Sequence, residues 1–150
     1  MQPKISVIIP VYNEEESVAA LHAELVSVLS QLGQPFEILF LDDGSTDGTL
    51  LALKSLRPVH TISFTRNFGK SQALQAGFDA AKGDYIFTMD GDLQDDPHEI
   101  PLFLAQMKKD HTDLVCGWKR HRRDTLAKRL VSRVANALTR FFTGTTVHDM

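Results

Sequence analysis

Carboxylates fall in pairs directly behind apolar runs at two points of the chain: Asp42-Asp43 after FEILFL, and Asp90-Gly91-Asp92 after DYIFTM. The second pair is followed at once by Gln94, Asp95 and Asp96. Acids crowded at the end of a buried strand repel one another and cost free energy unless a cation offsets them. Hard oxygen ligands at this density suit Mg²⁺ or Mn²⁺ rather than a soft metal, and Gly91 leaves room for a ligand to approach the backbone. A solvated turn is the competing reading. Asp96 before Pro97 has the chemistry of a helix cap, whereas Asp90 and Asp92 come too early for it. An EF-hand is excluded, because the sixth position of that frame is Asp95 rather than Gly and the twelfth is Pro101 rather than Glu. A DxD motif taken alone leaves metal binding and the plain turn equally open.

At the first pair, Asp47 is placed to cap the following helix, which leaves Asp42 and Asp43 unexplained by capping. Carboxylates there can accept hydrogen bonds from a ribose hydroxyl or a base N–H, as in other α/β nucleotide sites. Calcium is excluded again, since position twelve of the frame begun at Asp43 is Lys54. The triplet Gly69-Lys70-Ser71 lacks the first glycine of a Walker loop, where Phe64 stands. Lys70 near a helix N-terminus can still touch a phosphate; a solvated lysine is the alternative.

These residues need a scaffold, and the apolar periodicity supplies one. Strands are predicted over Lys4–Pro10, Phe36–Leu41, Val59–Phe64, Tyr85–Met89 and Asp113–Cys116, the fourth apolar enough for burial on both faces. Helices are predicted from Glu14 to about Leu32, stopped by Gly33; after Asp47, with Leu50, Leu51, Leu53 and Leu56 as its apolar face; from Ser71 to about Lys82; and from Glu99 to Lys109. Glu15 and Glu16 are read as ordinary acids at a helix start. Strict β-α alternation gives an α/β fold with a mainly parallel sheet flanked by helices, whose ligands bind outside the carboxyl ends of the strands. The acids lie there.

The 150 residues, 43% of them hydrophobic, suffice for one domain with a core. The single Cys116 excludes an internal disulfide and a cysteine-rich zinc site, and its apolar surroundings predict burial. No signal sequence and no apolar run near the ~20 residues of a membrane span is present, so a cytoplasmic location is expected. The net charge of −3 conceals an asymmetry: residues 1–118 hold 8 Lys and Arg against 17 Asp and Glu (net −9), and residues 119–150 hold 8 against 2 (net +6). The basic part contains a predicted amphipathic helix within 119–143, with Leu126, Leu130, Val134, Leu138 and Phe141 on one stripe. It suits a membrane surface or a phosphate-bearing partner; a domain helix with a solvated basic face is the alternative. The acidic body and the lack of interleaved aromatics speak against nucleic acid.

SVIIPVYNEEESV, LDDGSTDGT, RNFGKSQALQAGFDAAKGDY and MDGDLQDDP, in this order and spacing, resemble family 2 glycosyltransferases of the GT-A fold. DGDLQDDP followed by CGWKRHRR, KRLVSRVAN and VHD is similar to the polyprenyl-phosphate branch, which includes dolichol-phosphate mannose synthase and undecaprenyl-phosphate sugar transferases. The resemblance implies one GT-A domain over 1–150, incomplete at Asp149-Met150 because relatives continue past VHD. It implies a UDP- or GDP-sugar donor held by Pro10, Tyr12, Glu14, Asp42, Asp43, Lys70 and Asp90, and a Mg²⁺ or Mn²⁺ ion at Asp90, Asp92 and Gln94. Lys119 stands where relatives often carry arginine, keeping the charge but not the bidentate fork; with Asp90 and Asp92 it is expected in the catalytic set. Lys128 and Ser132 match contacts to the acceptor phosphate.

The expected reaction is therefore inverting transfer of a sugar to a polyprenyl phosphate, by a protein peripheral on the cytoplasmic membrane face. Such an acceptor is already anionic and needs no strong base, whereas a saccharide hydroxyl, as in cell-wall or polysaccharide synthesis, would need one. Two rival readings are that hydroxyl acceptor and a non-catalytic module that binds nucleotide sugar or membrane.

Overall fold

A computed structural model describes residues 2–117. It divides the chain into two units, Met1–His111 and Thr112–Met150. The first contains strands β1 (Ile5–Val11), β2 (Phe36–Asp42), β3 (His60–Ser63) and β4 (Tyr85–Thr88), with helices α1 (Val18–Gln31), α2 (Thr49–Ser55), α3 (Lys70–Ala80) and α4 (Ile100–Asp110) between and after them. A single 3₁₀ turn, Pro97–Glu99, leads into α4. Asp96 caps it as expected, accepting the His98 N–H at 2.9 Å.

All pairings are parallel and the strand order is β3-β2-β1-β4. β1 is central, and its period-two alternation serves two cores. Ile5, Val7, Ile9 and Val11 meet Val18, Leu21, Leu25 and Leu29 of α1, Leu53 of α2 and Ile100 and Leu104 of α4. Ile8, on the opposite face, meets Leu39, Leu41 and Ala73 of α3. Covering both faces explains why β1 and β2 read as mostly apolar runs; Ser6 and Glu37, the buried polar exceptions on adjacent strands, hydrogen-bond to each other.

The order reverses direction between β1 and β4, and such a switch point leaves a crevice at the carboxyl ends of the two strands. The β1–β4 ladder stops at Ile8–Thr88, while β1 continues beside β2 as far as Val11–Asp42. Pro10 lies beyond that last β4 pair, so its missing N–H forfeits no rung there.

Several expectations are corrected. β4 is only half-buried, with Ile86 41% exposed: Tyr85 and Phe87 pack against the core shared with α1 and α4, whereas α3 lies over β1 and β2. Along α2 the helical period takes Thr49 and Leu53 inward and turns Leu51 to solvent, 76% exposed. α1 begins at Val18 rather than Glu14, because Asn13 has a positive φ of 57° and the Glu14 and Glu15 N–H groups donate to Thr49 at the start of α2 and to Asp47 just before it. Its far end agrees with the sequence: Gly33 takes φ 63°. In the second unit, Thr112–Gly117 form no strand, since no ladder partner for this short run exists among the described residues, and Cys116 is exposed.

The backbone of α3 lies directly on β1. A Cβ on Gly77 would strike Ile8 Cγ2 and come within 3.2 Å of Leu41 Cδ2. Ile8 is fully buried and β-branched, so it has little freedom to yield. Gly77→Ala should gain up to about 1 kcal/mol of helix propensity and lose about 1–3 kcal/mol to overpacking. A lowered urea midpoint is expected; an unchanged or raised one would show that the contact is slack.

Candidate functional site

The loops leaving the four strands are laced together by side chains that close backbone hydrogen bonds. Asp43, just past β2 and buried, is the hub. Its N–H donates to Val11 O at 2.9 Å. Its Oδ1 accepts the Phe68 N–H and its Oδ2 the Gly69 N–H, both at 2.8 Å, which ties down the loop before α3. Hydrogen bonds to a charged acceptor are the stronger kind. Asp42, 1% exposed, accepts the Ser45 N–H at 3.0 Å on Oδ1 and the Ser63 hydroxyl at 2.8 Å on Oδ2. Gly44, at φ 72°, lets the backbone of Arg66 and Asn67 pass where a side chain would sit.

The β1 and β2 loops are joined in the same manner. Asn13 Oδ1 accepts the Thr46 N–H at 2.8 Å, and its own N–H donates to Ser45 Oγ at 3.0 Å. The Glu14 N–H donates to Thr49 Oγ1 at 2.8 Å. Glu15 accepts the Gly48 N–H, so it is a tie between loops and not merely an acid at a helix start. Asp47 acts one residue earlier than a formal cap, accepting both the N–H and the hydroxyl of Thr49.

On the β4 side, the buried Ser17 Oγ lies 2.7 Å from Gly91 O and 2.9 Å from Glu14 Oε2. Its one proton serves one of them at a time. A Cβ on Gly91 would approach Val11 Cγ1 to 2.6 Å, so the room beside this glycine is taken by the core and not kept for a ligand. The Asp90 N–H donates to Asp95 Oδ2 at 2.9 Å, and Asp90 Oδ1 pairs with the ammonium of Lys70 at the first turn of α3. Asp92 accepts the Gln94 N–H at 3.1 Å across a turn in which Leu93 takes φ 61°.

The expected site residues thus reach one edge of the sheet in different states. Pro10 and Glu14 are half-buried; Tyr12, Asp92 and Gln94 are exposed; Lys70 and Asp90 form a partly exposed ion pair. Both oxygens of Asp42 and of Asp43 already hold protein donors. Lys119, Lys128, Ser132 and the basic helix of 119–143 lie outside the described residues. Among the described residues, Glu24, Asp96 and His98 form a group of three side chains whose ligand atoms lie within 4.8 Å of one another and could hold a cation. The sequence reading missed Asn13, Ser17 and Thr49. Only Asn13 left a signal, as a residue type that tolerates the left-handed turn needed just after a strand.

A model of glycosyl transferase family 2 matches residues 6–149. The chain belongs to that family. Curated relatives include the dodecaprenyl-phosphate galacturonate synthase of Rhizobium johnstonii, 36% identical over 97% of this chain and 45% of its own length. The undecaprenyl-phosphate 4-deoxy-4-formamido-L-arabinose transferase of Serratia proteamaculans is 37% identical over 97% of this chain and 46% of its own. The family 2 chain therefore spans about half the length of these relatives. Among solved structures, glucosyl-3-phosphoglycerate synthase of M. tuberculosis superposes with a TM-score of 0.70 at 24% identity, over 95% of this chain and 52% of that one. S. aureus TarS residues 1–349 gives 0.62 at 25% identity, over 81% and 38%. The GT-A fold expected for a family 2 chain is thereby established.

The lacing makes two predictions. Asp43→Asn replaces one of two charged acceptors by an amide donor facing an N–H, so unfolding free energy should fall by roughly 1–3 kcal/mol, with Phe68 and Gly69 losing amide-exchange protection. Unaltered protection at those two amides would remove Asp43 from this role. The Asp47 carboxyl is held below its usual range by the Thr49 hydroxyl first, then by the Thr49 and Glu15 N–H groups. A depressed folded pKa adds stability that is present above the ordinary value near about 4 and is lost as pH falls through the folded pKa. Thermal midpoints of the wild type and Asp47→Asn should accordingly differ at pH 6 and converge towards about pH 2; a gap independent of pH would contradict it.

Proposed function

We propose that this chain is the donor-binding part of a glycosyltransferase that moves a sugar from a nucleoside diphosphate sugar to a polyprenyl phosphate. The observation that carries the proposal is the placement of Asp90-Gly91-Asp92 at the switch-point crevice, beside Lys70 and the Asp43-tethered loop. The names of the relatives, two polyprenyl-phosphate sugar transferases, supply the acceptor class.

A metal fits the donor set in part. Asp92 and Gln94 sit on one exposed turn with oxygen donors, whereas Asp90 Oδ1 is engaged by Lys70. Asp90, Asp92 and Gln94 are assigned to Mg²⁺ or Mn²⁺, which when bound offsets charge on a leaving diphosphate. The protein does the rest. Lys70 faces the same charge from the start of α3. The Asp43 clasp fixes the loop on which a UDP or GDP moiety would rest, and Pro10, Tyr12, Glu14 and Asp42 border it. Lys119, Lys128 and Ser132 are assigned, by resemblance, to the reacting phosphates. Because the acceptor phosphate is itself the nucleophile, no carboxylate base is needed, and in-line attack inverts the anomeric centre. A peripheral position on the cytoplasmic membrane face suits a lipid acceptor; no helix among the described residues is long and apolar enough to cross a membrane.

Asp92→Ala should reduce Mn²⁺-dependent binding of UDP- and GDP-sugars at least about tenfold, with circular dichroism unchanged because Asp92 is exposed and packs no core. Titration calorimetry with and without Mn²⁺ reads the effect. Binding with an unaltered metal dependence would place the cation elsewhere.

A further inference from the structure

A second cluster of ligand-type side chains lies on the flank of α1, apart from Asp90 and Asp92. His98, in the 3₁₀ turn before α4, holds Nδ1 2.9 Å from Asp96 Oδ1 and 3.3 Å from Glu24 Oε1 of α1. Ligands about 2.1 Å from a common ion are about 3.0 Å apart at octahedral angles and about 3.4 Å at tetrahedral ones. The two separations from Nδ1 fall in that range, and all three ligand atoms lie within 4.8 Å of one another. One imidazole with two carboxylates is a donor set for a borderline first-row ion, whereas the all-oxygen set of Asp90, Asp92 and Gln94 suits a hard one.

Two further observations support a site. The three side chains line an open cleft of about 420 Å³, shared with Ala20, Leu93 and Gln94, so solvent and an ion can enter and waters can complete the shell. Among the described residues, Glu24 and Asp96 pair with no lysine or arginine, in contrast to Asp90.

We propose that Glu24, Asp96 and His98 form a divalent transition-metal site of the Zn²⁺ class that joins α1 to the segment following Asp90-Gly91-Asp92. An ion there replaces the proton on His98 Nδ1 and spans two elements otherwise linked at this point by an exposed ion pair. The segment it tethers includes Asp92 and Gln94, so occupancy would stiffen the loop that carries them.

The test titrates the 150-residue chain with Zn²⁺ alone by calorimetry, and follows the six imidazoles by long-range ¹H–¹⁵N correlation. Expected are a shift of the His98 Nδ1 resonance on binding and a Zn²⁺-dependent rise in thermal midpoint. Affinity should fall by about tenfold or more in both His98→Gln and Glu24→Gln, as for loss of any ligand. His98 is exposed and Glu24 half-buried, and unaltered circular dichroism and metal-free midpoints verify the folding of both variants. Asp92→Ala should keep the Zn²⁺ response, which separates this site from the proposed donor metal. Wild-type Zn²⁺ affinity in His98→Gln, an unmoved His98 resonance, or loss of the response in Asp92→Ala instead would each overturn the proposal.

Discussion

Every loop at the carboxyl edge of this sheet must hand its backbone N–H groups to something, and the Asp43 carboxylate is where most depends on that demand. Strand termini offer no continuing ladder, and buried N–H groups left unpaired are costly. By accepting Phe68 and Gly69 while its own N–H reaches Val11, Asp43 joins β1, β2 and the entry to α3 in a single residue. Asn13, Glu15, Asp42, Asp47 and Ser17 extend the same solution outward. The polar residues of the two acidic motifs are thus a frame before they are a binding surface, and the exposed ones, Asp92 and Gln94, stand on that frame.

This division of labour explains what the sequence made legible. The apolar runs around Val7 and Leu39 announced central parallel strands, because strands covered on both faces are filled mostly by apolar side chains, a buried polar one needing a partner as Ser6 and Glu37 have in each other. The end of α1 at Gly33 and the capping role of Asp96 were also readable, since both depend on local chemistry. The burial of Asp42 and Asp43 was not. A carboxylate that accepts two backbone N–H groups and one that faces a ribose are identical as letters; only the arrival of residues more than twenty positions away distinguishes them.

The misreadings share a cause. Tyr85–Met89 looked like β1 and β2 in composition, yet α3 packs over β1 and β2 and leaves Ile86 of β4 exposed, and the strand's own sequence does not encode that. Leu51 was given to the apolar face of α2, yet the packing that takes Thr49 and Leu53 inward leaves it on the opposite side. Asp113–Cys116 had the composition of a strand but no described partner, and pairing is a property of two segments. Glu15 was credited to its own helix when its acceptor oxygen was needed by Gly48.

The contact between Gly77 and Ile8 carries a further implication. It is the pivot on which α3 rests, and Lys70 stands seven residues away at the helix start, about 10 Å along the axis. The helix behaves as a lever: a tilt of only about 6° at the pivot displaces the far end by about 1 Å. That is enough to lengthen or break an ion pair such as the one Lys70 makes with Asp90. The packing of one hydrogen atom against the middle of the sheet therefore sets where a cation sits at its rim, so substitutions in the floor of the fold can alter the site without touching it.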